Sequence, residues 1–98
     1  MQYVITAYDG PDMLEKRMAV RPRHLENMGK VKGRVLCAGG ILDGEGKPKG
    51  SVLVVDFAAR EDLEDYLAAE PYIQEKVWAE VKVEPMNVVI LDRKKVGS

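Results

Sequence analysis

Residues 33–57 read GRVLCAGGILDGEGKPKGSVLVVDF, and their reading decides the fold. Residues 33–44 and 50–57 are runs of β-branched and aliphatic side chains. Between them lies EGKPK, whose glycine and proline suit a hairpin loop, so the two runs predict antiparallel strands. Gly39 and Gly40 fall inside the first strand. Glycine in a strand interior costs stability, so the pair predicts a bulge or the close approach of another backbone or a ligand.

Working outward, QYVITAY (2–8) is rich in β-branched and aromatic residues and stops at the turn formers Asp9, Gly10 and Pro11, which predicts a first strand. DMLEKRMAV (12–20) sets Leu14 and Met18 four apart with Asp12 placed to cap, and PRHLENMGKVK (22–32) continues the apolar face with Leu25 and Met28. Pro22 lacks an N–H and its ring clashes with the preceding turn, so a kink or restart is expected in a bipartite first helix. Downstream, REDLEDYLAAE (60–70) places Leu63, Tyr66 and Leu67 on one helical face, with acids early, where the helix dipole favours them. Pro71 ends that helix. AEVKVEPMNVVILD (79–92) reads as a last strand, and Pro85 within it points to a sheet edge or a bulge.

The order βαββαβ predicts an α+β fold, a four-stranded antiparallel sheet with two helices on one face. The other face is then bare. Yet SVLVV and NVVIL are apolar at consecutive positions, as in strands buried on both faces. The economical cover is a second copy of the sheet, so a homodimer through that face is expected.

A chain of 98 residues has room for one domain. Its formal net charge of -1 comes from nearly balanced acids and bases without long blocks of one sign, so no nucleic-acid partner is indicated. Arg93, Lys94 and Lys95 read as a solvated end. Cys37 is the only cysteine, which excludes an internal disulfide, leaves too few sulfurs for a structural zinc site and makes a reducing cytoplasm the expected location. Flanked by Leu36 and Ala38, it reads most simply as a small core residue. No stretch approaches the roughly 20 apolar residues that span a bilayer, and no basic region precedes the first apolar run, so neither membrane nor signal peptide is expected. No dinucleotide fingerprint, P-loop, zinc-ligand spacing or nucleophile elbow is present, so no cofactor and no metal is expected. The glycine-rich GGILDGEGKPKG joins strand to strand rather than strand to helix, which argues against phosphate cradling there.

The candidate chemistry centres on His24, the single histidine, in VRPRHLENMG (20–29). Imidazole changes charge near neutrality and is the commonest general acid or base, but a lone histidine is equally a structural residue of a helix. If the helix restarts at Pro22, the N–H groups of Arg23 and His24 lack partners, and with Arg17 or Arg21 nearby they form an anion pocket for a carboxylate or phenolate. A catalytic imidazole is usually oriented by a carboxylate, and Glu70, held extended by Pro71 on the same sheet face, is the candidate; otherwise it is one more exposed acid ending a helix. Tyr72 offers a phenolic donor or packs over the sheet edge. Ser51 lacks a neighbouring base in sequence and reads as a strand-start hydroxyl.

These pieces together resemble the YCII-related family, in particular its YciI-like subgroup. YVITAYD, LEKRMAVRPRHL with its Arg21, His24 and Leu25, GRVLCAGGILD, the Gly50-Ser51 pair and AAEPY stand in the family's order over nearly the whole chain. The resemblance implies a ferredoxin-like fold of the dimeric α+β barrel type, with a pocket near the dimer interface and a His–Asp pair. His24 matches the family histidine, while Glu70 stands where the family usually has aspartate, one methylene shorter. The family often has glycine a few residues later; here Lys76 stands without one, which would add positive charge near the pocket. The Gly40–Gly50 connection looks shorter than in YciI-like proteins, so a lid formed by it should be reduced. The best-defined activity of the family is cofactor-independent removal of chloride from a chlorinated hydroxyhydroquinone, which implies small, ring-shaped, acidic substrates.

The leading expectation is therefore a cofactor-free lyase or isomerase acting by proton transfer on a small acid. His24 would shuttle a proton, Glu70 would orient its imidazole, and Arg21, Ser51, Tyr72 and backbone N–H groups near Gly40 would hold substrate and developing negative charge. The alternative is a dimeric binding or sensing module using the same pocket without catalysis.

Overall fold

The computed structural model describes residues 1–97. Strand β1 (Gln2–Asp9) leads into helix α1 (Leu14–Met28), strands β2 (Gly33–Leu42) and β3 (Pro48–Phe57) form a hairpin, and α2 (Arg60–Ala69) is followed at once by the single turn α3 (Pro71–Gln74) and strand β4 (Trp78–Met86). The four long strands form one antiparallel sheet in the order β2-β3-β1-β4. This is the ferredoxin-like arrangement, the protomer from which dimeric α+β barrels are built.

Alternation along β1 and β3 places the core. Tyr3, Ile5 and Ala7 of β1 and Leu53, Val55 and Phe57 of β3 point to one face and are buried beneath Val20 of α1, Leu63 and Tyr66 of α2, and Tyr72. Val4, Val52 and Val54 point to the opposite face and are half-buried. Among the described residues no helix covers that face, so the bare side expected from the consecutive apolar positions is present. Cys37 is exposed on this side, in register with Val54, and is not a core residue. The reason is the pleat: Cys37 pairs with Val54, whose side chain points away from the helices, while Val35, paired with Val55, is the β2 residue that packs against the core.

Four other expectations are corrected. Helix α1 runs unbroken through Pro22, with no restart. Pro22 and Met18, four residues before it, both lie on the solvent side, where water can satisfy the carbonyl that Pro22 leaves without a donor. Asp12 does not cap the helix; Met13 precedes Leu14 with no side-chain cap, and Asp12 has φ 57°. The Gly39–Gly40 pair forms no bulge, the first of its two expected readings: it lies in regular register opposite Val52 and Ser51, and the irregularities fall instead between Val35 and Cys37 and between Ile41 and Leu42. Last, β4 stops at Met86, opposite Gln2 where β1 begins, and the chain leaves the sheet with Val88 N–H donating to the Gln2 side chain at 2.7 Å. NVVIL therefore does not extend β4. It enters a separate hairpin, β5 (Ile90–Leu91) with β6 (Lys94–Lys95), which orders part of the basic stretch read as a solvated end. Pro85 sits in edge strand β4, as expected.

Candidate functional site

The site is assembled on one stripe of α1. Arg17, Val20 and His24, at spacings of three and four, are the buried residues of this helix. The apolar residues Leu14, Met18 and Leu25, expected to face the core, are at least 37% exposed. Burying an arginine and a histidine in their stead costs desolvation, and each is matched by an acid from another element.

His24 meets Glu70. Its Nδ1 is hydrogen-bonded to Oε1 of a carboxylate that is 0% exposed. Pro71 holds the Glu70 backbone extended (φ −68°, ψ 116°), so Glu70 closes α2 and opens α3, where Oε1 also accepts from the Tyr72 N–H at 3.4 Å. Pro71, expected to end α2 and to hold Glu70 extended, also occupies the first position of α3, and this joint carries the side chain back toward α1. The longer glutamate thus spans the gap to the imidazole. Oε2 accepts from the Tyr66 hydroxyl at 3.0 Å and from Asn27 Nδ2 at 3.4 Å. Neither donor was anticipated, although Tyr66 lies one helical turn before Glu70 and Asn27 three residues after His24. The imidazole plane stacks on the Tyr72 ring, centroids 4.1 Å apart and 19° from parallel, and meets the Trp78 ring edge-on at 5.8 Å. Those contacts leave Nε2 as the ring nitrogen available to a ligand.

Arg17 meets Asp9. The guanidinium donates from Nη1 to Asp9 Oδ1 at 2.7 Å and from Nη2 to Ser51 Oγ at 2.7 Å and the Gly50 carbonyl at 3.0 Å, and it lies 4.8 Å from the centre of the Tyr72 ring. Gly50 is required here, because a Cβ would lie 2.4 Å from the Ala7 carbonyl oxygen. Burial holds the Asp9 carboxyl above its ordinary value, with Arg17 pulling the other way, and its Oδ2 is buried without a partner. Burial likewise raises the Tyr72 phenol against the opposing pull of Arg17 and Arg21. The Tyr66 hydroxyl is raised further, by burial and by the Glu70 charge it faces, so it remains a donor.

Between α1 and the β2–β3 hairpin lies a cavity of about 390 Å³, within the range of small-ligand pockets. His24, Arg17, Arg21, Gly40, Ser51 and Tyr72 line it, and Met18, Leu25 and Met28 form its apolar side. Glu70 stands behind His24 rather than in the wall. Ser51 accepts from Arg17, which leaves its own proton to donate. Gly40 keeps the wall thin: a Cβ there would make only ordinary contacts, at 3.7 Å, with the Gly50 oxygen and Pro48. Because α1 is continuous, no helix N-terminus exists at Pro22, and the expected anion pocket of free N–H groups at Arg23 and His24 is absent; positive charge comes from the two guanidinium groups. Lys76 is exposed and outside the cavity. It occupies a left-handed backbone position (φ 60°), a conformation that glycine adopts more readily than lysine. Among the described residues, no group of three or more His, Cys, Asp or Glu could hold a metal ion.

A profile of the YCII-related domain matches residues 1–87, and the protein YciI of Escherichia coli O6:H1 is 36% identical over 97 residues, covering 91% of this chain and 99% of its own. The chain belongs to the YCII-related family. An uncharacterised protein of Haemophilus influenzae shows the same 36% identity over the same shares of both chains. Among solved structures, the 5-chloro-2-hydroxyhydroquinone dehydrochlorinase of Burkholderia phenoliruptrix, in complex with 2,5-dihydroxybenzoquinone, superposes with a TM-score of 0.80 over 88% of this chain and 93% of its own. At 20% identity, that likeness establishes the fold of this YCII-related chain and no more.

Proposed function

We propose that this YCII-related protein is a cofactor-independent small-molecule enzyme that moves a proton on a small acidic substrate, a lyase or isomerase in type. One observation carries the reading: a single imidazole, backed at Nδ1 by a fully buried carboxylate, lines a ligand-sized cavity beside two guanidinium groups. Glu70 holds the Nδ1 proton, so the Nε2 lone pair takes a proton from the substrate and returns it at a neighbouring atom. Arg21 and the Ser51 hydroxyl stabilise the negative charge that develops, while Tyr72 and the flanking methionines seat a flat body. The 2,5-dihydroxybenzoquinone held by the fold relative makes hydroxylated rings the first compounds to test.

The half-buried valines of the bare sheet face support a homodimer through that face, and a single cysteine fits a reducing cytoplasm. Turnover of a panel of phenols, hydroxyquinones and small carboxylic acids tests the activity. His24→Ala should lower the rate of any converted compound by about 10²- to 10⁴-fold. Equal rates for wild type and variant would end the assignment. Protection against thermal unfolding by a panel member, without product, would place the protein instead among binding or sensing modules.

A further inference from the structure

We infer that Tyr66 and Asn27 are positioning residues for the His24–Glu70 pair, a role that rests on the reading of His24 as the proton carrier. A carboxylate with no solvent access must be satisfied from the protein, and each Glu70 oxygen has a separate set of donors. Oε1 faces the imidazole and the Tyr72 N–H; Oε2 is held by the Tyr66 hydroxyl and the Asn27 amide. The two sets come from different elements. Tyr66 belongs to α2, on the same helix that Glu70 ends, and Asn27 belongs to α1, three residues beyond His24 on nearly the same face. The carboxylate is therefore pinned in rotation, with one oxygen aimed at Nδ1.

The second set does more than satisfy an oxygen. Asn27 and Tyr66 also line a cavity of about 130 Å³ that shares no lining residue with the larger one, so water has room next to these donors. Water could hydrogen-bond Oε2 if either donor were removed, but it would not fix the carboxylate plane. What the two side chains add is orientation, and orientation of Glu70 decides the tautomer of His24: proton on Nδ1, lone pair on Nε2 toward the substrate. Tyr66 remains a donor in this role because burial and the Glu70 charge both oppose its ionisation.

The single histidine makes the test direct. Long-range ¹H–¹⁵N correlation spectra, recorded where the imidazole is neutral, report its tautomer in wild type, Tyr66→Phe, Asn27→Ala, the double variant and Glu70→Leu. Wild type should show the Nδ1–H form alone. Each single variant should admit some Nε2–H form, and the double variant a several-fold larger share of it, while circular dichroism shows a folded chain. On a converted substrate, kcat should fall with KM nearly unchanged. Asn27 is only half-buried, so its variant remains informative if Tyr66→Phe fails to fold. A double variant with the wild-type tautomer, alongside a Glu70→Leu in which the tautomer has changed, would overturn the role of Tyr66 and Asn27. A tautomer unchanged even in Glu70→Leu, which leaves Nδ1 no acceptor at this position, would overturn it too, by removing the control of His24 by Glu70 on which it rests.

Discussion

Two ion pairs are buried under α1, and they are built to opposite specifications. Arg17–Asp9 joins a group that is always charged to a carboxyl that has one well-made bond and one buried oxygen without a partner. His24–Glu70 joins an imidazole, the side chain that most often transfers protons, to a carboxylate whose oxygens are both occupied. The first pair supplies fixed charge and holds Ser51 and the Gly50 strand in place. The second leaves no carboxylate oxygen stranded. Fixed charge belongs where a ligand is to be held, and adjustable charge where a proton is to be moved.

The largest expected effect breaks the fixed pair. Arg17→Met leaves Asp9 buried and alone and should cost about 3–5 kcal/mol, measured by urea unfolding; Arg17→Met with Asp9→Leu should recover most of that loss. If the single and the double variant were equally destabilised, packing of the arginine stem rather than charge would be the cause. Glu70→Gln strikes the adjustable pair. It removes the charge from hydrogen bonds with four donors and should cost about 1.5–3 kcal/mol in the same assay.

A smaller effect separates the pairs by pH. Burial has raised Asp9 above its ordinary 3.8, so between that value and its raised one the folded chain binds more protons than the unfolded chain. Stability contributed by this group therefore increases as pH falls through the raised value, and levels off below 3.8. Asp9→Asn should abolish that increment in unfolding measured across mildly acidic pH; a difference between wild type and variant that does not vary with pH would contradict it. Smallest of all is Lys76→Gly. Relief of a left-handed backbone should raise stability by up to about 1 kcal/mol while leaving both pairs, and any turnover, as they were.

What could be read without coordinates follows from which forces act locally. The hairpin at 33–57, the sheet and the place of both helices were legible because period-two alternation and turn residues are local signals, whereas His24 with Glu70 was one of two open readings of the residues and gained weight only from the resemblance to a family with a His–Asp pair. The buried face of α1 was not. Leu14, Met18 and Leu25 made the apolar pattern, yet Arg17 and His24 went inward, since their acids come from the end of β1 and the α2–α3 joint, far away in sequence. Tyr66 was assigned to the core for its ring, correctly, but its hydroxyl has a partner that depends on the backbone bend at Glu70. The continuous helix at Pro22 and the end of β4 at Met86 reflect solvent on one side of α1 and the length of β1, respectively, neither of which leaves a mark on neighbouring residues.

Helix α1 carries one member of each pair on a single rigid rod, two turns apart, while the matching acids are anchored at separate places. Such a rod fits like a key with two pins. Deleting or inserting one residue between positions 17 and 24 would turn one pin relative to the other by about 100°, so no rotation of the helix could seat both. Point substitutions at the exposed positions of this segment outside the cavity wall, such as Ala19 and Arg23, should be tolerated freely, while changes in its length should not, and the spacing of seven from Arg17 to His24 is then a specification of this site as stringent as the residues themselves.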